Sequence, residues 1–311
     1  MAELYNNTTQ HFPQDIEELP YSVNVYRYSG KKSLCRVVSL ERDRLYRSFH
    51  AVQSIRAQST ESDDVDISPQ MEGTQSDHII FTFESLISTQ EIQDLLAGFP
   101  FHDRLAFDPQ NNTLVVKMLL PHHEQAAIAL NDMLQNALKQ MGLSKTILSW
   151  GNTTLPGPDG SSKQADGGWS PRRPPRGAPK RPSIVLEVGA SETSAKLRRD
   201  AHYWVDPARG NANMAMTIKM HQTKHQIIIE QWTWNAQISR PIQESLLTLK
   251  KTNGKVYFNP DHPTPQLVIP FQSLFRRPAE NSREHDVLFP TQDLVEFATM
   301  VWEMQFDDGR D

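Results

Sequence analysis

The sequence predicts an α/β protein with a mixed central β-sheet flanked by helices on both faces and an N-terminal extension ahead of it. Two observations carry this expectation. Between residues 113 and 234 the apolar periodicity reads strand, helix, strand, strand, strand, helix, strand, strand, an order that a helix-flanked mixed sheet accommodates. At 311 residues, 38% hydrophobic and 22% charged, the chain has an ordinary globular composition and is long enough to bury a sizeable core.

Charge and cysteine content bound the functional classes. The formal net charge of -5 gives no global nucleic-acid signal, although a local basic patch can sit inside an acidic total. The single cysteine, Cys35, excludes an internal disulfide framework and fits a reducing compartment. The opening MAELYNNTTQHF lacks the basic start and apolar stretch of a secretory signal. No segment approaches the roughly 18 apolar residues of a membrane span. The expectation is an intracellular protein, in nucleus or cytoplasm, without a membrane partner. No repeat at solenoid period is present.

Along the chain, YSVNVYRY and CRVVSL read as two β-like runs within residues 21 to 56. A helical stretch follows them, with Leu45, Phe49 and Val52 at helical spacing. Residues 59 to 77 are acidic and polar, the composition of a flexible linker. HIIFTFE then reads as a strand, and STQEIQDLLAGF as a helix capped by Ser88 or Thr89. RLAFDPQNNTLVVKMLL holds two strands around a DPQNN turn. Pro121 opens a helix whose apolar stripe is Ala127, Leu130, Leu134, Ala137 and Met141, and Gly142 ends it. KTILSW, KQADGGW and RPSIVLEVG supply further strands. Ser191 to Ser194 cap a helix in which Leu197, Ala201 and Trp204 share a face. ANMAMTIKM, QIIIEQWTW and QLVIPF read as strands, and TQDLVEFATMVWEMQ as a final amphipathic helix. Four consecutive regions result: an α+β extension (1–58), the linker (59–77), the core (78–235), and a C-terminal strand and helix packing on it (236–311).

Chemistry concentrates where a carboxylate interrupts the apolar strand IVLEVG. An ionised carboxylate in low dielectric costs several kcal/mol unless a cation or metal faces it. Glu187 therefore faces an edge, a cation or a metal, and among cationic partners with a catalytic role a divalent ion suits hard oxygen ligands. The second carboxylate is expected to be Asp166 in KQADGGW, ahead of Asp159, whose GPDGSS context is an exposed turn. Glu124, in the first turn of the preceding helix, is the third.

Asp166, Glu187 inside IVLEVG, helical Glu124 before them and a helix carrying Lys196 after them together resemble the PD-(D/E)XK nuclease superfamily, with its restriction-endonuclease-like fold. LVVKMLLPHHEQ, PSIVLEVGASETSAKLRRDAHYW and LVIPFQSLFRRP resemble in particular a group of largely uncharacterised fungal members. The likeness covers about residues 104 to 235 and, more weakly, the C-terminal strand and helix. It implies a Mg²⁺-dependent endonuclease, with Mn²⁺ as a possible substitute. Asp166, Glu187 and Glu124 are its implied metal ligands, and nucleic acid, DNA before RNA, its substrate. It also implies a homodimer. Ala165 stands where the signature has proline and Gly189 where it has lysine. Lys196 is the expected replacement for that lysine, with Lys163 second. The alternative is a catalytically inactive module of the same fold that binds nucleic acid or protein, motivated by Gly189.

The loop PRRPPRGAPKRP carries Arg172, Arg173, Arg176, Lys180 and Arg181, which are candidate phosphate contacts. A solvated, proline-stiffened loop is the plainer reading. His122 and His123, like His221 and His225, lack the second cluster that a zinc site needs and read as capping or surface residues. Trp232 and Trp234 share one strand face, which suits packing against a helix.

Overall fold

The computed structural model describes residues 23–58, 76–151, 153–259 and 266–306. These fall into two compact units that interleave along the chain. One comprises Met1–Leu120, Asn152–Gln164 and Ser191–Lys196; the other comprises Pro121–Gly151, Ala165–Ala190 and Leu197–Asp311.

The first unit is built on a six-stranded sheet of β1 (Asn24–Arg27), β2 (His78–Thr82), β3 (Arg104–Asp108), β4 (Thr113–Lys117), β6 (Leu155–Pro156) and β7 (Ser162–Lys163), in the order β1-β2-β4-β3-β7-β6. Because β1 pairs parallel with β2, the expected N-terminal extension and the first strands of the expected core share one sheet. The run CRVVSL is helical rather than extended and lies inside α1 (Lys31–Gln58). Leu34, Val37, Val38 and Leu45 are buried there at helical spacing, which tertiary packing rewards over β propensity. Helix α2 (Thr89–Ala97) starts at Ser88, whose side chain and that of Glu91 form a reciprocal capping box. The β3–β4 turn is held by Asp108, whose Oδ1 accepts from the Gln110 and Asn111 amides. Of the expected linker, 59–75 lie outside the described residues, whereas Ser76 and Asp77 are buried.

The second unit is built on a seven-stranded mixed sheet: β5 (Ile147–Ser149), β8 (Gly167–Pro171), β9 (Ile184–Gly189), β10 (Met214–Met220), β11 (Gln226–Asn235), β12 (Arg240–Thr252) and β13 (Lys255–Phe258). Its order is β13-β12-β11-β10-β9-β8-β5, and only β9 and β10 run parallel. A crossover through α4 (Ser194–Val205) makes that parallel pair possible. Leu186 and Val188 turn to one face, where α3 (Pro121–Gln140) and α6 (Thr291–Phe306) contribute Leu130, Leu134, Phe297 and Trp302 to a single apolar core. Glu187 turns to the other face and meets Trp204 of α4. Helices thus cover both faces, as the sequence predicts.

The buried side of α3 is His122, His123, Ala126, Ala129, Leu130, Leu134 and Leu138, followed by Met141, so the expected stripe holds at Leu130, Leu134 and Met141 and the buried face is wider than it, extending through the first turn. Ala127 and Ala137 lie at its margin. Strand β12 escapes periodicity because most of its side chains are exposed or half-buried, and a bulge at Gln231/Trp232 shifts its register against β11. The short strands β14 (Leu267–Ile269) and β15 (Val287–Phe289), with α5 (Phe271–Phe275) between them, complete the unit.

Candidate functional site

Strands β8 and β9 are antiparallel, with Gly167 opposite Leu186. Asp166, one residue ahead of β8, therefore falls beside Glu187. Its backbone N–H donates to Leu186 O at 3.1 Å, and its Oδ2 accepts from the Val188 N–H at 2.8 Å, so its polar groups bracket Glu187 on both sides. Both acids are buried, Asp166 at 4% and Glu187 at 3% exposure. Two carboxylates on adjacent strands in low dielectric repel each other and need compensating donors or cations. The structure sets a protein group against each: His123 Nε2 lies 3.1 Å from Asp166 Oδ2, an ion-pair distance, and the Trp204 indole N–H donates to Glu187 Oε1.

His123 is thus neither a cap nor a surface residue. It is 1% exposed and aimed at the acid pair from the first turn of α3. Glu124 follows it, with a side chain 42% exposed and Oε1 3.8 Å from His123 Nδ1. The expected convergence of Glu124, Asp166 and Glu187 on one ion does not form. Among the described residues, no group of three or more His, Cys, Asp or Glu side chains is arranged to hold a metal. What is brought together is a two-carboxylate site. That donor set fits a hydrated hard cation, since Mg²⁺ keeps several waters and takes one or two carboxylates from protein.

The missing lysine has a spatial counterpart that linear reading overlooked. In the parallel β9–β10 pair, Glu187 is in register with Thr217 and Gly189 with Lys219. In-register residues of paired strands share a face, and so do residues two apart on one strand. Lys219 therefore stands beside the position that Gly189 leaves without a side chain, on the Glu187 face. Its Nζ donates to Ala190 O at 2.6 Å, which holds it at the β9 end. The sequence signal was the βαβ connection itself, which fixes a parallel neighbour for β9; the register is a tertiary result.

Lys196, the expected replacement, occupies the first turn of α4, where its backbone N–H is capped by Thr193 Oγ1 at 3.1 Å. It belongs with the first unit, and its charge helps hold Glu192 well below the usual carboxylate range. Lys163 lies in β7 of the same unit, paired with Ala106 and Leu155.

The basic loop also moves in meaning. It joins the far ends of β8 and β9, so Ile184, where it re-enters the sheet, is three residues from Glu187, about 10 Å at strand spacing. Arg172, Arg173, Arg176 and Lys180 are exposed there, and Arg181 Nη1 donates to Arg209 O at 3.0 Å. Arg277 pairs with Glu284 at 2.7 Å and so is already compensated.

His225 and His202 are packing residues. The first lies against Trp302 and Phe306, and the second is edge-on to Trp232. Burial lowers the pKa of His202, which favours the neutral ring.

The first unit holds a second buried ionic cluster that the sequence did not announce. His78 and Lys117 are opposite each other on β2 and β4. His78 Nδ1 lies 2.6 Å from Asp77 Oδ1, and its Nε2 lies 2.9 Å from Glu192 Oε1, which Lys117 Nζ also approaches at 3.1 Å. Ser191 donates a short hydrogen bond to Asp77. Burial opposes charging His78, yet the two flanking carboxylates override it and raise its pKa to about 9. Against the same burial, Lys117 and His78 hold Glu192 low, and His78 holds Asp77 low.

No family model matches the chain, and no curated protein matches it. Among solved structures, it is similar to a protein from Anabaena variabilis described as a candidate nuclease belonging to DUF820. The identity is 13% and the TM-score 0.41, with 68% of this chain and 99% of that chain covered.

Proposed function

We propose that the protein is a divalent-metal-dependent phosphodiesterase of the PD-(D/E)XK type, acting on nucleic acid, DNA in preference to RNA. The observation that carries this reading is the buried Asp166–Glu187 pair on neighbouring strands, with Lys219 in register with Gly189. Asp166 and Glu187 are the residues to hold Mg²⁺ or Mn²⁺, which when bound would activate water and neutralise phosphate charge. His123 and Trp204 orient the two carboxylates through the contacts described, the role that outer partners of metal ligands commonly play. Lys219 presents a compact cation on the Glu187 face, suited to the charge that develops on the phosphate. In the overall reaction, one water oxygen bonds to phosphorus, the bond to the leaving ester oxygen breaks, and a water proton ends on that oxygen. Cutting both strands of a duplex takes two such sites, which a homodimer supplies.

A second reading is favoured by the indole bound to Glu187 and the glycine at 189: a module of this architecture that binds nucleic acid or protein without cutting. Plasmid incubated with the protein and Mg²⁺ or Mn²⁺ separates the two. Cleavage by wild type that Asp166→Ala abolishes supports the enzyme. Absence of cleavage with either ion, together with no heat of metal binding by calorimetry, leaves the binding module.

A further inference from the structure

The second unit contains a groove of about 740 Å³ at the basic-loop end of the β8–β9 hairpin, away from the acid pair. Arg176 and Pro179 of the loop form one wall, Asn211 and Asn213 another, and Trp234 and Arg276 line the remainder. Among the described residues, no acidic side chain lines it.

Arg276 is the unusual member. Its Nη1 donates to Asn213 Oδ1 at 3.1 Å, and its Nη2 to Pro182 O at 3.0 Å and Asn211 O at 3.2 Å. Every one of these acceptors is neutral. Its Nε is buried with no hydrogen-bond partner. Burial alone lowers its pKa, with no carboxylate acting in the opposite direction. A half-buried guanidinium without a counter-charge is costly. By contrast, the neighbouring Arg277 is matched by Glu284. An anion in the groove is the natural complement: with both Nη groups already held by protein oxygens and Nε buried, Arg276 attracts it by charge, and the exposed Arg176 is the guanidinium free to contact it. Trp234 adds an aromatic face of the kind on which bases stack, and the amides of Asn211 and Gln272 add donors and acceptors for a base edge.

We propose that this groove binds a nucleotide unit, with the phosphate held by Arg176 in the field of Arg276 and the base against Trp234. The nucleotide arrives either free or as part of a strand. The proposal stands on the groove alone and does not depend on hydrolysis at Asp166 and Glu187.

Calorimetric titration of the full chain in EDTA tests it, using AMP, CMP, inorganic phosphate and an eight-nucleotide single-stranded oligonucleotide. Saturable binding is expected for the nucleotides, with phosphate alone weaker. The exposed-site variants Arg176→Ala and Gln272→Glu should each weaken binding about tenfold, the loss of one charge-assisted contact or the gain of one repulsion. Asp166→Ala should bind as wild type does, so loss of the catalytic reading leaves this result intact. Tighter binding of the oligonucleotide than of mononucleotides assigns the groove to a strand, and equal binding assigns it to a free nucleotide. The proposal is overturned if neither nucleotides nor oligonucleotide saturate at millimolar concentration, or if both groove variants bind as tightly as wild type.

Discussion

Raising the pH through the range in which His78 loses its proton should destabilise the protein measurably. His78 titrates at about 9 in the folded chain against an ordinary value of 6.5. That gap of about 2.5 pH units, at about 1.4 kcal/mol per unit, corresponds to about 3–4 kcal/mol. Because the folded value is the higher one, this stabilisation is complete below pH 6.5 and is lost as pH rises through about 9. The pKa values of Asp77 and Glu192 are lowered, so their share is present above the unfolded carboxylate range and lost on acidification. Stability is therefore expected to peak between about pH 5 and 6.5. Urea unfolding followed by far-UV circular dichroism at constant ionic strength, from pH 6 to pH 9.5, measures the alkaline limb. All six tryptophans lie in the second unit, so their fluorescence reports that unit in parallel. Replacing the imidazole by a neutral amide, His78→Gln, should lower stability at pH 6 by about 3–5 kcal/mol, because two buried carboxylates are left with Lys117. It should also flatten the alkaline limb. Unchanged wild-type stability between pH 6.5 and 9.5 would refute the reasoning, as would an equally steep fall in His78→Gln.

Three further outcomes are expected. Lys219→Met should cut the rate of DNA cleavage about 100-fold or more, the scale of losing one electrostatic donor to the transition state. Lys196→Met should stay within a few-fold, and initial rates on plasmid in excess Mg²⁺ distinguish them; the reverse order would restore Lys196 to the site. Trp204→Phe removes the indole donor from buried Glu187, so equilibrium unfolding should show a loss of about 1–3 kcal/mol. Gly210→Ala would place a Cβ 2.4 Å from the Cα and carbonyl oxygen of Trp204, both backbone atoms that cannot yield. Thermal unfolding should report at least about 3 kcal/mol of destabilisation.

Much of the local structure was legible in the residues. Ser88 and Glu91 announce a capped helix, DPQNN a turn, Pro121 a helix start, and IVLEVG a strand whose single carboxylate needs an explanation. Those signals act over a few residues, where spacing and side-chain chemistry decide the outcome. The helical identity of CRVVSL was not legible, because β-branched residues favour strands until a buried face at spacing three and four outweighs that preference. Strand β12 left no mark because a mostly exposed strand needs no apolar alternation.

The residues alone pointed to Asp166 and Glu187 as neighbours, since a loop of hairpin composition joins the stretches that carry them. What surrounds the pair is a tertiary result. His123 reaches Asp166 because the buried face of α3 extends through its first turn, and Lys219 stands beside Gly189 because β9 and β10 pair in parallel register through α4. The same register logic sends the arginine loop to the opposite end of the hairpin. Strand partners and helix rotation are settled by burial summed over a whole core, so no local stretch of sequence encodes them.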